Sequence, residues 1–147
     1  MFWTYIIIAL LAGAVLPMQA AVNAQLRYVV GSSLLAALVS FGVGTAALLV
    51  YAAFARLPLP DGRATLQAPW WAWSGGLLGA FYVLTAILVA PRLGTAALMG
   101  LALSGQLIAA LVLDHYGLLG LSVHPLSLWR VVGTILLLAG VVLITRF

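Results

Sequence analysis

Apolar residues fill five blocks of this chain, Phe2–Val22, Leu34–Phe54, Trp70–Val89, Thr95–Leu113 and Leu128–Ile144, and polar residues gather between them. A hydrocarbon layer about 30 Å thick is crossed by roughly 20 helical residues. Over that distance in lipid a helix satisfies all of its own backbone polar groups. The pattern therefore predicts an all-α integral membrane fold: five transmembrane helices in a single membrane domain over residues 1–147. An odd number of spans puts the termini on opposite sides and leaves little chain outside the lipid to build a soluble active site.

The connections have their own signals. Pro17 removes a backbone donor inside the first block and frees the carbonyl of Gly13, which predicts a kink. Beyond it the chain turns polar at Gln19, Asn23, Gln25 and Arg27 and reaches a turn at Gly31, Ser32 and Ser33. Pro58, Pro60, Asp61 and Gly62 mark the longest polar segment, between spans two and three. Pro91, Arg92, Leu93 and Gly94 alone separate spans three and four, which predicts an antiparallel hairpin of those two helices. The stretch from Asp114 to Ser127 is semi-apolar and suits the membrane interface. Small residues around Ala20–Ala24 follow an apolar run as at a cleaved signal, but no basic residue precedes the run and four spans follow it, so it is read as a retained span.

Composition narrows the class. Hydrophobic residues make up 66% and charged residues 5%, with a mean hydropathy of +1.26, values at which a water-soluble domain would aggregate. The net charge of +4 comes from six basic and two acidic residues. All six are arginines scattered at helix ends, which is not the basic patch that nucleic acid requires. Without cysteine there is no disulfide or thiolate metal site. Two aspartates and two histidines without glutamate make no convincing metal or carboxylate site, the serines lack a paired base, and no glycine-rich phosphate loop is present. No enzyme, metal or cofactor is expected.

Arginines beside the spans set orientation. Arg56, Arg63 and Arg130 fall on the side of the N-terminus, and Arg27, Arg92 and Arg146 on the other. A tie of this kind permits insertion both ways round, and hence an antiparallel pair that completes a pseudo-symmetric unit. A fixed orientation set by weaker signals is the alternative. All five tryptophans (Trp3, Trp70, Trp71, Trp73, Trp129) share the side of the N-terminus, but an aromatic belt sets depth more than direction.

Helices associate in lipid where small residues let backbones approach. Gly75 and Gly79 begin a face of span three that continues through Tyr82 and Thr85, Ala36, Ser40 and Gly44 form a row on span two, and Gly133 and Gly140 stand two turns apart on span five. Helix packing or dimer contact is the role assigned to these glycines. Four polar residues suit a substrate cavity beside a broken first helix: Gln19, Asn23, Tyr82 and Gln106. Interhelical hydrogen bonding is the structural alternative for the amides. Asp114, two turns beyond Gln106, and His115 are candidates for proton coupling; His124 reads as a solvated loop residue.

The stretches Leu11–Leu26 (LAGAVLPMQAAVNAQL), Trp70–Gly94 (WWAWSGGLLGAFYVLTAILVAPRLG), Gly105–Gly117 (GQLIAALVLDHYG) and Arg130–Ile144 (RVVGTILLLAGVVLI) resemble the YdcZ-like family of bacterial inner-membrane proteins, within the drug/metabolite transporter superfamily. The resemblance implies a five-helix half-transporter, one repeat of the ten-helix fold of that superfamily, working as an antiparallel homodimer or as a heterodimer with a related five-helix chain. It implies a small-molecule substrate and a multi-pass place in the bacterial inner membrane. The run from Gly133 to Ile144 is also similar to the last helix of small multidrug resistance proteins, which holds their dimer together. Those proteins carry a glutamate in their first helix, whereas this chain has Gln19 there, which argues against cation export by that route. A non-transporting scaffold or accessory protein that binds a partner through its glycine faces is the alternative function.

Overall fold

In a computed structural model, which describes residues 2–58, 62 and 67–147, the chain is helical, with no strand among the described residues. Five helices carry it: α1 (Phe2–Val30), α2 (Ser33–Phe54), α3 (Gly75–Leu93), α4 (Thr95–Tyr116) and α5 (Leu128–Arg146). Each is long and apolar enough to span a membrane, α3 together with the Trp70–Ser74 turn that leads into it. Large apolar side chains such as Leu10, Leu48, Leu77 and Leu136 point outward along these helices, as lipid-facing surfaces must. Pro60, Asp61 and Arg63, assigned above to the second connection and to the arginine count, lie outside the described residues.

Several boundaries differ from those predicted. The first helix does not end near Val22 but runs 29 residues to Val30, with Pro17 inside it. Pro17 leaves the Gly13 carbonyl without its helical donor and does not end α1. What stops α1 is Gly31, in the left-handed region at φ 76°, whose N–H donates to the Arg27 carbonyl at 2.9 Å. Ser32 then caps α2 by accepting from the Leu35 N–H. Pro91 likewise lies within α3, and the break comes three residues later at Gly94, φ 81°. The Trp70–Ser74 segment is a tighter 3₁₀ turn and not the first turn of the α-helix. Helix α4 continues past Leu113 through Asp114 and His115 to Tyr116.

The chain divides into two compact units, Met18–Pro91 on the one hand and Met1–Pro17 with Arg92–Phe147 on the other. The predicted hairpin of spans three and four falls across this division.

Within Met18–Pro91 the buried cluster is Ala36, Ala37, Val83 and Ile87, with Leu26, Val30 and Tyr82 packed on it. The Phe41 ring lies 3.7 Å from where a Cβ on Gly79 would stand. Contacts that step forward along α2 from Ala36 to Phe41 step backward along α3 from Ile87 to Gly79, so the two helices are antiparallel. Small side chains dominate, Ala20, Ala24, Ala86 and Ala90 among them, as expected where helices in lipid gain most from close backbone approach.

In the other unit α4 and α5 pack together. Gly100 near the start of α4 meets Val141 near the end of α5, and Asp114 near the end of α4 meets Arg130 near the start of α5, which makes this the antiparallel hairpin of the unit. A Cβ on Gly100 would stand 3.1 Å from both Val141 methyls. Ser104 donates its hydroxyl to the Gly100 carbonyl at 2.8 Å, so a buried polar group is satisfied within its own helix.

Candidate functional site

The densest polar grouping among the described residues lies where α4 ends and α5 begins. Helix α4 closes on Gly117, φ 60°, whose N–H donates to the Leu113 carbonyl, and Ser127 caps α5 by accepting from the Arg130 N–H at 3.3 Å. These two ends bring opposite charges together: Arg130 Nη2 donates to Asp114 Oδ2 at 2.6 Å. Arg130 Nη1 also donates to the His124 carbonyl at 2.9 Å. The connecting segment is tied down by two further bonds, from the His124 N–H to the Asp114 carbonyl at 2.8 Å and from the Leu126 N–H to His115 Nδ1 at 3.2 Å. The His115 ring meets the edge of Tyr116 at 4.8 Å.

One turn into the hairpin the pair borders a cavity of about 240 Å³, lined by Leu107, Ala110, Leu111, Asp114, Arg130, Gly133 and Thr134. Gly133 has open space where a side chain would stand. Thr134 donates its hydroxyl to the Arg130 carbonyl at 2.8 Å, which leaves the hydroxyl oxygen able to accept. The walls are therefore mostly aliphatic, with both charges at one end.

The residues singled out from the sequence are placed unevenly. Asn23 is 5% exposed, whereas Gln19 one turn earlier is exposed. Tyr82 is half-buried, and its hydroxyl is enclosed without a hydrogen-bond partner. Gln106 is exposed on α4. Among the described residues no side-chain hydrogen bond joins any of these four, and Gln106 belongs to a different unit from the other three. The α3 row turns inward only partly: Gly75 is exposed, while Gly79, Tyr82 and Thr85 are half-buried. Gly133 and Gly140 both face open space.

Sequence reasoning missed the Asp114–Arg130 pair, although a signal for it existed. Asp114 ends span four and Arg130 begins span five, so both stand on one side of the membrane at the facing ends of consecutive spans. Opposite charges at one depth, joined by a short connection, are in reach of each other. The solvated reading of His124 fits its exposed ring, but its backbone is a structural tie.

No curated protein and no solved structure matches the chain. Residues 4–143 match the model of the family described as "Putative inner membrane exporter, YdcZ". That description points to transport and not to catalysis, and together with five spans it places the protein in the inner membrane as a multi-pass chain. With nearly its whole length matched, the chain belongs to the YdcZ family of inner-membrane exporters.

Proposed function

We propose that this chain is half of a bacterial secondary transporter of the drug/metabolite superfamily type, exporting a small metabolite or amphipathic compound by alternating access as an antiparallel dimer. The observation that carries the reading is the exposure of amides at spanning positions: Gln19 and Gln106 lie on the outside of a single protomer. An amide left in hydrocarbon costs several kcal/mol, on the order of 4–8 by water-to-alkane transfer. A second protomer or an aqueous path between protomers meets that need. Open space beside Gly140 gives a second copy room for close approach on α5, and the tie of flanking arginines gives that copy no reason to insert the same way up. Tyr82, with an enclosed hydroxyl and no partner among the described residues, joins Gln19, Asn23 and Gln106 as a residue that meets substrate.

Two measurements test this. Tags at both termini, probed on sealed cells, should each be accessible in part of the population; a single orientation replaces the homodimer with a pair of two different chains. Cysteine introduced at Tyr82 should react with a membrane-impermeant thiol reagent from at least one side. A position that stays unreactive from both sides supports the scaffold function instead, and the natural absence of cysteine leaves no background.

A further inference from the structure

We infer that the α4–α5 cavity is a binding site for a small zwitterion with an aliphatic body, the chemical class of an apolar amino acid. The inference rests on the transporter reading for the onward movement of the ligand, but not for its binding. Three observations support it. Leu107, Ala110 and Leu111 line the same cavity as a charge pair, Asp114 and Arg130. The pair is incompletely used: among the described residues Arg130 spends donors on Asp114 Oδ2 and the His124 carbonyl alone, which leaves three of the five guanidinium N–H groups. Among the described residues nothing donates to Asp114 Oδ1. The side chains of Arg130 and Asp114 are 37% and 28% exposed, so they are reachable.

Charge balance selects the ligand. The pair is neutral, so a lone anion drawn to Arg130 must also approach Asp114, and a lone cation drawn to Asp114 must also approach Arg130. With the two charges 2.6 Å apart, that repulsion offsets most of the attraction. A zwitterion brings one charge for each partner: its ammonium donates to Asp114 Oδ1 while its carboxylate accepts from the free guanidinium N–H groups, and the site stays neutral. The Thr134 hydroxyl oxygen is a further acceptor for the ammonium. Size agrees, since 240 Å³ is below the range of about 300–1,000 Å³ typical of drug-sized ligands. That suits a molecule as small as valine.

The test uses the purified full chain in lipid nanodiscs and three probes of nearly one shape: L-valine, L-valinol, which keeps only the positive charge, and isovalerate, which keeps only the negative. Titration calorimetry should give valine an affinity at least about tenfold above either singly charged probe. Asp114→Asn should abolish the advantage over isovalerate, and Arg130→Gln the advantage over valinol. Asp114→Arg combined with Arg130→Asp keeps a neutral pair and should restore the preference for valine, which separates a binding role from loss of the fold. Absence of valine binding, equal affinity for all three probes, or a preference that survives both single substitutions overturns the inference. Valine that binds but is not exchanged across proteoliposomes counts against the transporter reading alone, and transport that persists without binding at this cavity counts against the site alone.

Discussion

Asp114 in the last turn of α4 accepts a hydrogen bond from Arg130 in the first turn of α5 across 2.6 Å. The same guanidinium holds the His124 carbonyl, so one side chain ties both helix ends to the segment between them. Removing either charge strands the other. Because both side chains are part-exposed, Asp114→Ala or Arg130→Ala should each cost about 1–2 kcal/mol, less than the 3–5 of a fully buried pair. The two substitutions together should cost less than their sum, and a double-mutant cycle on unfolding in detergent measures that coupling.

The enclosed Tyr82 hydroxyl has no partner among the described residues. Tyr82→Phe should therefore leave an isolated protomer as stable as before or more so, by up to about 1–3 kcal/mol, while lowering transport. Equal loss of stability and transport would assign the hydroxyl to folding.

Gln106 should behave in the complementary way. Gln106→Leu replaces an exposed amide on a spanning helix and should abolish transport while leaving the dimer intact in cross-linking. Loss of the dimer would make the amide a packing group between protomers.

Close approach of α4 and α5 depends on Gly100, where a Cβ would stand 3.1 Å from Val141. Gly100→Leu should push the helices apart and cost about 1–3 kcal/mol through overpacking. Val141→Ala in the same chain should recover part of that loss, read as melting temperature in a fixed detergent.

The connecting segment should loosen when its ties are cut. His115→Ala removes the acceptor for the Leu126 N–H, worth about 0.5–1.5 kcal/mol, so the Leu126 amide should exchange roughly 2–12 times faster in deuterated buffer. Gly117→Ala should loosen it further, since Gly117 sits at φ 60° and an added Cβ would meet Val123 at 2.7 Å.

Much of this protein was legible in its order of residues, because hydropathy alone decides which stretches enter lipid. All five spans were identified. The differing ends share one cause: polar residues and Pro91 read as stops, yet α1 passes through Asn23 and Arg27, and α3 through Pro91. In a spanning helix those signals yield to the need to keep backbone groups paired, and the actual breaks came at glycines with positive φ, Gly31 and Gly94. The site was only half legible. Asp114, His115 and Gly133 were singled out, but Arg130 was weighed for orientation alone. Its pairing depends on two helix ends meeting in space, which shows along the chain only as opposite charges at the two ends of one connection.

A 29-residue α1 rises roughly 44 Å, about 14 Å more than the hydrocarbon layer. The excess corresponds to roughly nine residues, the stretch after Val22 in which Asn23, Gln25 and Arg27 occur. That end of the rod stands among headgroups or forces the helix to tilt. Leu26 and Val30, which pack on the start of α2, therefore lie where bilayer thickness decides whether water or acyl chain surrounds them, and lipid chain length becomes a control on how firmly α1 holds its neighbour.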